Sequence, residues 1–150
     1  MMRLLPVEES SVNWIAYALL GAVAAGVTAV LSKMGVGNIP SNLAVLIRTG
    51  VVIVIAAAIV FARGEHAAFK DVKGTAWVAL VLSGAATGIS WLAYFKALQL
   101  APASSVAPID KLSLGVTIVL AVVFLGEALT WKTVAGVALM IAGAILATRP

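Results

Sequence analysis

Polar residues in this chain fall in short clusters, separated by runs that are almost wholly apolar. Five runs stand out: Val12–Ser32, Leu43–Ala62, Thr75–Leu98, Ala103–Leu125 and Trp131–Thr148. Each holds about 20 residues, the length an α-helix needs to cross the hydrocarbon core of a bilayer. None alternates apolar with polar as the strands of a membrane barrel do. Lipid offers backbone amides no water, so the runs must bond internally as helices. The pattern predicts an all-α membrane protein, a single domain over residues 1–150 built as a bundle of five transmembrane helices. Between the runs, "KMGVGNIPSN" (33–42) is rich in helix breakers, and "RGEHAAFKDVKG" (63–74) is the most polar stretch. The turn at Gln99–Pro102 is so short that the third and fourth helices should be antiparallel neighbours. Thr130 is placed to cap the last helix.

Composition agrees with that pattern. Hydrophobic residues make up 63% of the chain and charged ones only 11%, with a mean hydropathy of +1.13. A soluble domain carries about 25% charged residues, so this chain lacks the polar surface to cover a water-soluble globule. The formal charge of +4 is dispersed singly between apolar runs, which points to a lipid bilayer as partner and gives no nucleic-acid patch. There is no cysteine, and the one histidine, His66, sits in the polar loop. No metal or other cofactor is expected. No nucleophile–base pair or metal cluster is present, which argues against an enzyme. The first run could pass for a signal peptide, but Arg3 is opposed by Glu8 and Glu9, and a secretory apolar region holds only about 7–15 residues. It reads as a retained span.

Aromatic residues mark the interfaces: Trp14, Tyr17, Trp77 and Trp131 at one end, Trp91, Tyr94 and Phe95 towards the other. Trp91 and Tyr94 have two readings, as belt residues or as cavity lining. Basic residues are nearly balanced. Arg3, Arg63, Lys70, Lys73 and Lys132 flank the N-terminal side; Lys33, Lys96, Arg149 and Arg48 flank the other. This slight bias favours an inside N-terminus and also permits insertion both ways.

The informative polar residues lie inside the spans. Arg48 on the second and Asp110 and Lys111 on the fourth are each about 10 Å from the same membrane side. Charges at that depth usually face a bundle interior or a wet cavity, in pairs. A guanidinium suits a carboxylate fork, so Arg48 is expected to pair with Asp110, leaving Lys111 and Lys96 as surplus positive charge or as side chains that snorkel to the headgroups. Pro108 should kink or break the fourth helix, and regular helix beginning there would favour ionised Asp110 through its dipole. Ser83, Thr87, Ser90 and Tyr94 share one face of the third helix, and Asp110, Ser113 and Thr117 one face of the fourth. Two such stripes could line a pathway together with Trp91, or the hydroxyls could bond to their own preceding carbonyls. Gly21 with Ala25 and Ala22 with Gly26 on the first helix, and Gly136 with Gly143 on the last, form small-residue faces for close packing or dimer contact. Glu127, after the fourth span, either orients the last helix or titrates as a proton-coupling carboxylate.

"YFKALQLAPASSVAPIDKLSLGVTIVLAVVFLGEALTWKTVAGVALMIAGAILA" resembles the C-terminal part of an EamA domain, the five-helix repeat of the drug/metabolite transporter superfamily. "LSKMGVGNIPSNLAVLIRTGVV" resembles that family's first loop and second helix. The likeness runs from Asn13 to Thr148 and is strongest to prokaryotic single-repeat members. It implies a small-solute transporter or exporter in the plasma (inner) membrane. Typical members carry two inverted repeats around a cavity, so a single repeat implies a homodimer, antiparallel by the same symmetry. Coupling would fall to Asp110 or Glu127. The first span lacks the intramembrane glutamate of the related four-helix multidrug exporters, and the positive surplus suits a zwitterionic or anionic metabolite better than a lipophilic cation. The contrasting reading is a non-transporting membrane subunit or scaffold, its charges structural and its small-residue faces the binding surface.

Overall fold

The computed structural model describes residues 7–148, with side chains from Trp14 onward. Arg3 and Arg149 of the charge balance, and the side chains of Glu8 and Glu9, lie outside the described residues. Among those described, every regular element is helical: α1 (Val7–Gly35), α2 (Ser41–Ala62), α3 (Gly74–Leu100), α4 (Ala103–Asp110), α5 (Ser113–Leu120) and α6 (Trp131–Ala147). A 3-10 helix, Glu65–Asp71, occupies the polar loop between α2 and α3.

Four segments are long and apolar enough to cross a membrane: Trp14–Gly35, Ser41–Ala62, Gly74–Leu100 and Ala103–Leu125. Helix α6 is apolar but shorter, at 17 residues. The five expected spans thus appear as four long segments and one shorter helix. The fourth segment is also subdivided. Helix α4 ends at Asp110, α5 starts at Ser113, and a π-helical turn, Ala121–Leu125, completes the segment.

Local chemistry sets the ends. The chain leaves α2 through Gly64 at φ 71° and the π turn through Gly126 at φ 67°, the left-handed conformation that glycine adopts without a Cβ penalty. Thr130 caps α6 as expected, its hydroxyl accepting from the Thr133 amide at 3.2 Å. Pro40 and Pro102 immediately precede α2 and α4.

Helix α3 is central and packs on α1, α2 and α4, while α4 also meets α1 and α6. The expected α3–α4 neighbours are in contact. Helix α5 rests on α6 beside Gly115, where a Cβ would sit in ordinary contact, 3.5 Å from Ile141 Cδ1 and 3.8 Å from Val137 Cγ1.

The core lies at one end of the bundle. Val36, Ala44, Val45, Phe95, Leu98 and Val106 form one buried cluster at the end of α1, the start of α2, the end of α3 and the start of α4. Two polar side chains tie this end together. Lys33 donates to the carbonyls of Leu98 and Ala101, the latter at 2.9 Å, filling acceptors that the α3 C-terminus leaves open. Gln99 donates in return to the Ile39 carbonyl at 2.8 Å in the α1–α2 loop. Lys33 therefore is more than a loop charge at the interface. Elsewhere large apolar side chains face outward, Val54, Ile89, Phe124 and Leu139 each more than 60% exposed, as lipid-facing residues would be.

Candidate functional site

Beside the buried cluster lies a partly enclosed cavity of about 610 Å³. Four helices line it. Small residues of α1 (Ala22, Ala25, Gly26, Thr28, Ala29) form one wall, and α2 contributes Arg48. Helix α3 contributes Ser90, Trp91 and Tyr94; α4 and the residue after it contribute Ala107, Asp110 and Lys111. Six of the pathway residues expected from the sequence, Arg48, Ser90, Trp91, Tyr94, Asp110 and Lys111, thus share one space. Trp91 and Tyr94 are cavity residues. A second, largely apolar cavity of about 490 Å³ lies along α3 and α4 and shares Ser90, Tyr94 and Asp110 with the first.

The charges are arranged differently from the expected pair. Arg48 and Asp110 form no salt bridge among the described residues. The Arg48 guanidinium instead lies over the Trp91 ring, 4.1 Å from its centroid, with Phe95 at 5.6 Å. Such cation–π contact is attractive where water is scarce. Asp110 is bridged by its neighbour Lys111 at 3.2 Å. Adjacency explains the change: Asp110 ends α4, and the lysine that follows reaches its carboxylate locally, without closing a gap between two helices. Lys111 accordingly folds back onto Asp110. Lys96 is exposed and meets Gln99 at 3.5 Å.

Pro108 lies inside α4, which begins at Ala103, so regular helix does not start at the proline. The irregularity comes just after Asp110. There Lys111 bonds back to the Pro108 carbonyl and Leu112 to that of Ile109, a tightened pattern joining α4 to α5. It sets Asp110 at a helix C-terminus, where the dipole favours positive charge and supports the bridge to Lys111.

Of the two polar stripes, only Ser90, Tyr94 and Asp110 line the cavity. Thr87 and Thr117 donate to the carbonyls of Ser83 and Ser113, each at 2.9 Å, the self-satisfying alternative. Ser83 and Ser113 are exposed. Glu127 is exposed in the loop between Gly126 and Thr130, and Thr130 supplies the cap on α6. A methyl added at Gly21, Gly136 or Gly143 would meet nothing of the described chain within 4 Å, and the same holds at Gly26, although it borders the cavity. Those faces are unfilled among the described residues. Phe95 beneath Arg48, Thr28, Lys33, Gln99 and Gly115 carried no signal of these roles in the sequence. Each role depends on a neighbour distant along the chain.

An apolar helical bundle with ionisable and aromatic side chains lining a partly enclosed cavity fits a multi-pass membrane protein. The chain matches the EamA-like transporter family over residues 12–149 and belongs to that family. It is similar to a protein of Sinorhizobium sp described as an uncharacterized transporter in the cobO 3' region, 48% identical over 136 residues, which cover 91% of this chain and 96% of the relative. No solved structure gives a significant match.

Proposed function

We propose that the chain is a secondary transporter of a small metabolite, working by alternating access as an antiparallel homodimer in the plasma membrane. The observation that carries this is the cavity holding Arg48, Asp110 and Lys111, with the buried Val36–Leu98 cluster beside it at one end of the bundle. One unit supplies a wall and a buried cluster at one end. A second copy related by a two-fold axis in the membrane plane would supply the opposite wall and the cluster at the other. Helix α6, about 25 Å long, then serves as the fifth span, tolerated at the short end of the range, and the five spans act as a single domain. The open glycine faces of α1 and α6 provide contact surface for the second copy.

Asp110 is the favoured proton-coupling residue because it lines the cavity, whereas Glu127 does not. Release of the Lys111 bridge on protonation would couple its charge to solute binding. Nothing in this scheme uses a cofactor or catalyses a covalent step. The cysteine-free chain allows a clean test. Single cysteines in the 63–74 loop and at the C-terminus are labelled in intact cells with an impermeant reagent. Each should react in about half of the molecules, as dual insertion requires. Complete labelling of one site and none of the other sinks the antiparallel dimer. Proteoliposome flux that Asp110→Asn leaves unchanged at every pH removes Asp110 from coupling.

A further inference from the structure

We infer that the cavity is a seat for a small monocarboxylate, with Arg48 as its anion-binding residue. The inference rests on the transport reading for the cavity's purpose, but the binding chemistry stands on geometry. Of the three charges lining the cavity, Asp110 and Lys111 neutralise each other at 3.2 Å. Arg48 has no carboxylate and no hydrogen-bond acceptor among the described residues; its partner is the ring of Trp91. A π face attracts the cation without removing its charge and leaves the N–H fork available for two parallel bonds to a carboxylate. The cavity wall therefore carries one uncompensated positive charge on a side chain seated by aromatics.

That charge selects among anions. A monocarboxylate neutralises it. A dicarboxylate, or phosphate in its dianionic form, brings a second negative charge that has no partner on this wall, and burying it is costly. A zwitterion brings an ammonium whose natural acceptor, Asp110, is already bridged. The small side chains of α1 opposite leave room for a short apolar body beside Ser90 and Tyr94.

Trp91 provides the readout. Replacing Trp14, Trp77 and Trp131 by Phe leaves Trp91 as the sole tryptophan of the four. The detergent-solubilised protein is titrated with butyrate at constant ionic strength, and separately with succinate, inorganic phosphate, glycine and chloride. Butyrate should change Trp91 fluorescence saturably and bind tightest. Arg48→Gln should weaken butyrate at least about tenfold, the loss of one charge-assisted fork. Asp110→Asn leaves Lys111 unbridged, adds a net positive charge and should shift preference towards succinate by about tenfold. Tighter binding of succinate, phosphate or glycine than of butyrate by the parent overturns the inference, as does an unchanged butyrate response in folded Arg48→Gln. Where Arg48→Gln fails to fold by circular dichroism, the Asp110→Asn selectivity decides: no shift overturns it. Butyrate binding without flux of any solute in proteoliposomes keeps the seat and removes the transport reading. Flux of another solute without butyrate binding does the reverse.

Discussion

At the residue scale, Lys33 and Gln99 show how a few polar groups close one end of an otherwise apolar bundle. Lys33 meets the α3 C-terminus, where open carbonyls and the helix dipole both favour a cation. Lys33→Met keeps most of the apolar stem and removes the donor. It should destabilise the folded chain by about 1–3 kcal/mol, the cost of leaving acceptors unmet, read from denaturation in detergent. Lys33→Arg should recover part of that loss, because the guanidinium keeps the charge and donors. A Met variant as stable as the parent would mean the carbonyls are satisfied otherwise. The Arg48 result teaches the complementary point. Its depth and need for a partner were legible in the sequence, since both follow from position within an apolar run. The partner was not. A carboxylate and an aromatic face are both adequate for a guanidinium, and the choice depended on Lys111 having already engaged Asp110.

At the element scale, the first three spans were readable to within a few residues, because uninterrupted apolar runs between Gly, Pro and Asn clusters leave little alternative. The fourth was harder. Pro108 announced an irregularity, but the tightened turn fell after Asp110, and the π turn at Ala121–Leu125 had no sequence marker. Both arise from how the segment fits its neighbours, α4 against α1 and α3 and α5 against α6. Gly115 tests that fit. Gly115→Ala places a methyl in ordinary contact with the flexible tip of Ile141 and should change stability by less than about 1 kcal/mol. Gly115→Leu must push α6 away and should cost about 1–3 kcal/mol, measured by the same denaturation. By contrast a first side-chain carbon at Gly136 meets nothing of the described chain within 4 Å, so the effect of Gly136→Leu should fall mainly on the proposed dimer, seen as a loss of cross-linked species with little loss of monomer stability.

At the scale of the whole molecule, asymmetry is the informative feature: the buried cluster sits at one end, and towards the other the apolar side chains of the long helices are exposed. The proposed inverted partner would complete such a unit, and it requires insertion in both orientations. Orientation follows the balance of basic residues near the spans, which here is close to even. Charge alone should therefore lock it. Glu65→Lys with Asp71→Lys loads the α2–α3 loop with positive charge; Glu65 is half exposed in its bridge to Arg63, so little stability is lost. Gly37→Lys with Asn38→Lys, combined with Lys70→Gln and Lys73→Gln, loads the opposite side to six basic residues against three; a first side-chain carbon at Gly37 meets only the Met34 carbonyl oxygen, at 3.9 Å. Each locked variant alone should label at one cysteine site only and carry little flux. Co-expressed, the two should restore flux towards the parent level, because each supplies the orientation the other lacks. Full flux from either locked variant by itself would show that one orientation suffices, and the pathway would then have to be built by parallel copies or by a different partner.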